Sequence, residues 1–310
     1  MSELIPFPKT KEKLVNDIKQ AVAQSHYEQA YDAFMTYEKY FELTNELALL
    51  KCHVLWELAA FLELREETHI LIKQEFQPQD DLMIYHLQSL YALEQYQTVV
   101  NIIDKVFENN ARQEMRMALL PIKDQAQRQL KERRTEMQSQ LQKFEQLSKP
   151  RQMELILSLI DDGADHFAST IAYLLVQNNV GATLQSLMLE YLRYARYNQS
   201  IPIQKYGRNI EVIPSQLIGM EATHFITVIT PKIIDMLEVQ HPSLVHEALT
   251  HLNAHNIDLY PIDITDIASD QAWIDTYMSY FEDMLGIPST YGIDEAVGDM
   301  INLINRSKST

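Results

Sequence analysis

The chain has 310 residues, 46% of them hydrophobic, and a formal charge of −17. That length suits two domains, or one domain with a repeat array, and that apolar share supports packed cores rather than disorder. The acidic balance argues against general nucleic-acid or anionic-membrane binding, and a lone cysteine, Cys52, excludes an internal disulfide or a cysteine metal cluster.

Residues 1–13 carry Pro6, Pro8 and five charged side chains before any long apolar run, which is not the pattern of a secretory signal. No run of about 18 apolar residues is evident, so no membrane span is expected and a cytoplasmic location follows. None of the first 162 residues is glycine. Such a segment has little means of building hairpin turns of strands or phosphate loops, and it reads as helices joined by ordinary polar turns. Apolar residues recur at three- and four-residue intervals, predicting helices over 9–24, 26–41, 44–61, 65–76, 79–94 and 96–109. Thr10 with Glu12, Thr44, and Gln79-Asp80-Asp81 stand where caps and first-turn acids belong. Short loops make consecutive helices antiparallel hairpins.

The hairpins repeat. Tyr27 and Tyr96 each open a second helix, 69 residues apart, and a third helix-turn-helix around Leu64–Thr68 lies between them. After Tyr27 come Ala30 and Phe34; after Tyr96 come Val99 and Ile103. A 34-residue period with a small residue and then an aromatic four positions on resembles the tetratricopeptide repeat, over roughly residues 9–110. The family's glycine is replaced here by Ile18 and Leu87, and its terminal proline is missing. The chain looks like the repeat-containing proteins of bacteria. An irregular α-bundle is the alternative.

The resemblance implies stacked hairpins whose first helices line a concave groove for an extended peptide. Carried onto matching residues, the groove positions are Glu12, Val15 and Lys19 in the first unit and Ile84, Gln88 and Tyr91 in the third. The Lys/Asn clamp that some members use for a terminal carboxylate is missing, since Val15 stands where its lysine would be. Tyr91 has a second reading, packing between hairpins.

Pro121 opens a predicted helix to Lys149, with an apolar stripe of Leu130, Met137, Leu141, Phe144 and Leu147 and a basic run at Arg128, Lys131, Arg133 and Arg134. It serves as a connecting or capping helix, or as a coiled-coil seam for a homodimer through 121–149. Three domains result: the array at 1–120, this helix at 121–149, and a mainly helical domain at 150–310. In the last, helices are predicted at 150–161, 164–177, 182–197, 215–239, 242–256, 270–286 and 293–306. A β-hairpin falls at about 201–213, Asn178–Gly181 is a turn, and residues 259–262 form an extended link.

Three helices followed by a ribbon outline a winged helix, the basis of an alternative function as a DNA-touching regulator. Its would-be recognition helix, 182–196, is apolar nearly all round, and Lys205 and Arg208 read as a solvated hairpin tip. His241, His246, His251 and His255 cluster, with His251, His255 and Asp258 as a conceivable metal set; partly exposed histidines are the default. His246-Glu247 to His251 is one residue too long for the zinc-protease motif. Asp161, Asp162 and Asp165 lack calcium-loop spacing. Asp258, Asp263, Asp266, Asp270, Asp275, Glu282 and Asp283 form a solvated acidic face, or a docking site for a basic partner or for the chain's own basic helix around Arg128–Arg134. Cys52 reads as buried. No Walker, dinucleotide or nucleophile-elbow string occurs. The expectation is a mainly α, non-enzymatic adaptor or scaffold with a protein or peptide partner, no catalytic residues, no metal and no cofactor.

Overall fold

The computed structural model describes residues 8–109, 112–177 and 180–308. Residues 1–7 of the leader reading, the Thr10 side chain read as a cap, and Asn178 and Asn179 of the predicted turn lie outside the described residues. Among these residues the chain forms fourteen α-helices and one two-stranded antiparallel ribbon, a mainly α architecture with hairpins first and the ribbon later. It comprises two compact units, Met1–Thr135 and Glu136–Thr310.

The first unit runs through α1 (Pro8–Ala23), α2 (Tyr27–Glu38), α3 (Asn45–Glu57), α4 (Phe61–Lys73), α5 (Gln79–Ala92), α6 (Tyr96–Glu108) and the front of α7 (Gln113–Leu141). The turns that close its hairpins are not ordinary polar turns. Ser25, Ala59 and Glu94, 34 and 35 residues apart, hold φ of 57°, 53° and 60°. At each, the next N–H (His26, Ala60, Gln95) donates back to a carbonyl five residues earlier (Ala21, Leu55, Leu90) at 2.9–3.0 Å. This is the left-handed helix stop that glycine usually supplies, here adopted by residues with a side chain.

The same register governs the core. Ile18, Cys52 and Leu87 are equivalent on the first helices; Ala30, Leu64 and Val99, and Phe34, Thr68 and Ile103, are equivalent on the second. All nine have no exposed surface. The middle hairpin is therefore a full repeat, although Thr68 breaks the apolar pattern. Its buried hydroxyl is satisfied by the Leu64 carbonyl at 2.7 Å and His86 Nδ1 at 2.9 Å, so the polar group is buried without losing its hydrogen bonds. Burial pushes the Cys52 thiol up to about 12, which leaves it a core residue. Thr44 caps α3, accepting from the Leu47 N–H.

A fourth turn would fall near residue 128, but the chain stays helical. Arg128 to Arg134 contain strong helix formers and no turn residue, so α7 continues to Leu141. The predicted span of 121–149 is thereby corrected at both ends. Pro121 lies inside α7 rather than at its start, because Gln113–Leu120 is itself helix-forming. Pro121 and Met117 are both exposed, so the carbonyl left without an N–H partner can face water. Of the apolar stripe, Leu130 is buried in a core of the first unit; Met137, Leu141 and Phe144 are buried in one of the second. A homodimer through this helix would have to use other side chains.

The second unit contains α8 (Lys149–Asp161), α9 (Ala168–Gln177), α10 (Ala182–Tyr194), β1 (Ile201–Lys205), β2 (Arg208–Val212), α11 (Thr230–Gln240), α12 (Val245–Leu259), α13 (Asp270–Met284) and α14 (Glu295–Lys308). The ribbon pairs Ile201 with Val212 and Lys205 with Arg208. Tyr206 and Gly207, both with positive φ, make the two-residue turn whose twist suits a hairpin. One core gathers α8, α9, α10 and the inner face of the ribbon, and the other gathers α11 to α14.

Two predicted elements are corrected. The helix expected at 215–239 is broken into short turns at Pro214–Gln216 and Met220–Ala222, a π-turn at Phe225–Ile229, and α11. Pro231 has no N–H to return to residue 227, so the ladder widens into the π-turn just before it. Pro214–Gln240 is long and apolar enough to cross a membrane by length and composition, although it contains no run of 18 apolar residues. Its Phe225, Ile229, Ile233 and Leu237 are buried among α12, α13 and α14. Finally, α12 takes in Leu259, and only Tyr260 onward leaves the helix, through a cis Tyr260–Pro261 bond.

Candidate protein-binding surface

The predicted groove residues fall on α1 and α5. Glu12 and Lys19 are exposed, whereas Val15, Ile84, Gln88 and Tyr91 are half-buried. Val15 packs on the core of the first hairpin, and Ile84 and Tyr91 on that of the third. Lys19 reaches the neighbouring repeat, 2.6 Å from Glu46 on α3. Tyr91 meets Tyr96 edge-on, with centroids 5.1 Å apart, so much of its ring is spent on packing between helices.

The two predicted sets are not adjacent in register, because α3 stands between them. Its Leu49, His53 and Trp56 occupy the positions of Ile84, Gln88 and Tyr91, and all three are half-buried. His53 links both neighbours: the Tyr27 ring stands edge-on to it at 5.8 Å, and its Nδ1 lies 3.5 Å from the Tyr85 hydroxyl. Trp56 packs on Phe61 at 5.3 Å as Tyr91 packs on Tyr96. Placing three repeats at 34-residue spacing, rather than only the two marked by tyrosines, would have found this middle set. The chemistry offered is mixed: apolar patches for side chains, and imidazole and carboxamide groups for a peptide backbone.

In the second unit, α10 does not suit DNA. Every residue from Leu184 to Leu192 is buried, leaving no side of that helix to enter a groove. Lys205 is not a solvated tip either. It is buried, and its ammonium donates to the carbonyls of Ala182 (2.9 Å) and Tyr260 and to Ser186 Oγ (2.6 Å). Burial lowers it to about 7, with Asp258 opposing that fall. A serine beside a depressed lysine is the pairing of some hydrolytic nucleophiles. Ser186, however, has no exposed surface, and its single proton serves the surrounding carbonyls, so the pair acts as an internal tie.

Several members of the histidine and acidic clusters are taken up in packing, while Asp263, Asp266 and Asp283 are exposed as a solvated face requires. His251 Nδ1 pairs with the Tyr280 hydroxyl at 3.2 Å and His255 Nδ1 with that of Tyr277 at 2.9 Å. Asp258 turns to Thr183, whose hydroxyl donates at 2.5 Å. Asp258 and Glu282 are buried rather than solvated; Asp270 pairs with His224 at 2.8 Å, and Asp263 caps the turn at Thr265.

No protein-family model matches the chain, and no solved structure matches it. Among curated proteins, it is 20% identical over 285 residues to the TPR repeat-containing protein YsoA of Bacillus subtilis (strain 168), an alignment covering 87% of this chain and 83% of that relative. The repeated left-handed turns and the buried positions in register form a helical-hairpin array consistent with tetratricopeptide-like repeats, the feature for which this relative is named.

Proposed function

We propose that the chain is a non-enzymatic cytoplasmic adaptor that holds a protein segment along the exposed row of its first helices. The row runs Glu12, Val15 and Lys19 on α1, Leu49, His53 and Trp56 on α3, and Ile84, Gln88 and Tyr91 on α5. The observation that carries the reading is that two register positions, Val15, Leu49 and Ile84 and then Lys19, His53 and Gln88, stay half-buried or exposed in three successive repeats. The likeness to a repeat-containing relative supports the same reading. The test is affinity capture from cell extract with the full chain and a variant carrying His53→Ala and Gln88→Ala. A discrete protein held by the wild type and lost by the variant, with both melting alike, is the expected result; equal capture by both would overturn it.

A further inference from the structure

A second surface of the first unit has a different character. A cavity of about 570 Å³ opens between the end of α2 with its following turn and the C-terminal half of α4. Glu38, Glu42 and Glu67 supply three carboxylates to its lining, and Tyr40, Ile70 and Phe76 supply apolar surface. Tyr40 is 56% exposed and Ile70 48% exposed, so neither is used up by the fold. Of the cations near it, Lys51 is buried and lies 2.8 Å from both Glu38 and Glu67. It ties the walls together without neutralising three acids.

Three further features set the sign of the field. Both α2 and α4 end at this cavity, and helix C-termini carry partial negative charge. Residues 32–81 hold eleven Asp and Glu against four Lys and Arg. The aromatic wall already receives one cation, since Lys11 Nζ sits 5.6 Å above the Phe41 ring. An anion or a second acidic segment would be repelled here, and a wholly apolar one would leave Glu42, which has no ion pair among the described residues, without a counter-charge.

We infer that this cavity docks a basic segment of a partner protein, taking a lysine or arginine whose alkyl stem lies on Ile70 and Tyr40 and whose head meets Glu42 and Glu38, with an adjacent apolar residue against Phe76. The surface is separate from the row on α1, α3 and α5, and the inference does not depend on that row binding anything.

The probe is a fluorescein-labelled octapeptide, acetyl-Gly-Ser-Leu-Lys-Arg-Leu-Ser-Gly, read by fluorescence anisotropy with the full chain. Glu42→Lys and Ile70→Ser are the test variants, because both positions are exposed and leave the Lys51 bridges alone. Each is expected to weaken binding by about tenfold or more, and binding should fall steeply as salt rises towards about 0.5 M. The variant carrying His53→Ala and Gln88→Ala should bind the probe as the wild type does. Absence of binding by the wild type, equal binding by Glu42→Lys, or loss of binding in the His53/Gln88 variant would each overturn the inference.

Discussion

Lys205 shows how one side chain can make stability depend on pH. Its ammonium is enclosed by the carbonyls of Ala182 and Tyr260, Ser186 Oγ and the nearby Asp258, and burial lowers it from the usual lysine range to about 7. The unfolded chain therefore binds this proton more tightly than the folded one. Between pH of about 7 and the usual lysine value, stability should rise with pH, by up to about 1.4 kcal/mol per pH unit. Below that window both states carry the proton and the contribution is flat. Urea melts of the wild type and Lys205→Met, compared from pH 6 to 9, check this. The wild type should gain stability relative to the variant as pH rises, and parallel curves would contradict it. The residue was legible only as a charge on a hairpin tip. Alternation in β1 puts it on the same face as Ile201 and Ile203, and that face turned out to be the buried one.

At the scale of elements, the repeat is written in its turns. Ser25, Ala59 and Glu94 hold a backbone conformation that costs a residue with a Cβ about 1 kcal/mol. Ala59→Gly should raise stability by about 0.5–1 kcal/mol, since glycine removes that strain at some entropic cost in the unfolded chain. Ala33→Gly, inside α2, should lower it by about 1 kcal/mol. Chemical denaturation of both variants measures the sign, and a loss of stability at Ala59 would speak against a strained stop. The helices of the array were readable from apolar spacing because each buries one face. The turns were not, because non-glycine residues in the left-handed region leave no compositional mark. The α7 helix was misplaced for a related reason: Pro121 reads as a start, yet the helix formers on both sides carry the helix through it. The broken segment before α11 escaped notice because its apolar residues keep helical spacing across the interruptions.

At the scale of the molecule, the fold class and the hairpin array were legible, since three amphipathic hairpins in register have few ways to bury themselves other than by stacking. The site was legible in part. The aromatic landmarks Tyr27 and Tyr96 led to α1 and α5, while α3, whose matching turn residue is Phe61, contributed nothing to the expected groove. Its His53, touching Tyr27 and close to Tyr85, now joins the two ends of the row. Many charged side chains that suggested separate sites, such as Asp258 and Asp270, are occupied with partners inside the second unit.

The most direct measurement is photo-crosslinking with a benzophenone amino acid placed singly along the full chain. Positions Lys19, His53 and Gln88 sample the proposed row, and Glu28, Leu62 and Gln97 sample the second helices in the same 34-residue register. The account predicts that one partner is crosslinked from all three positions of the first set and from none of the second. Crosslinks confined to the second set, or spread equally over both, would contradict it.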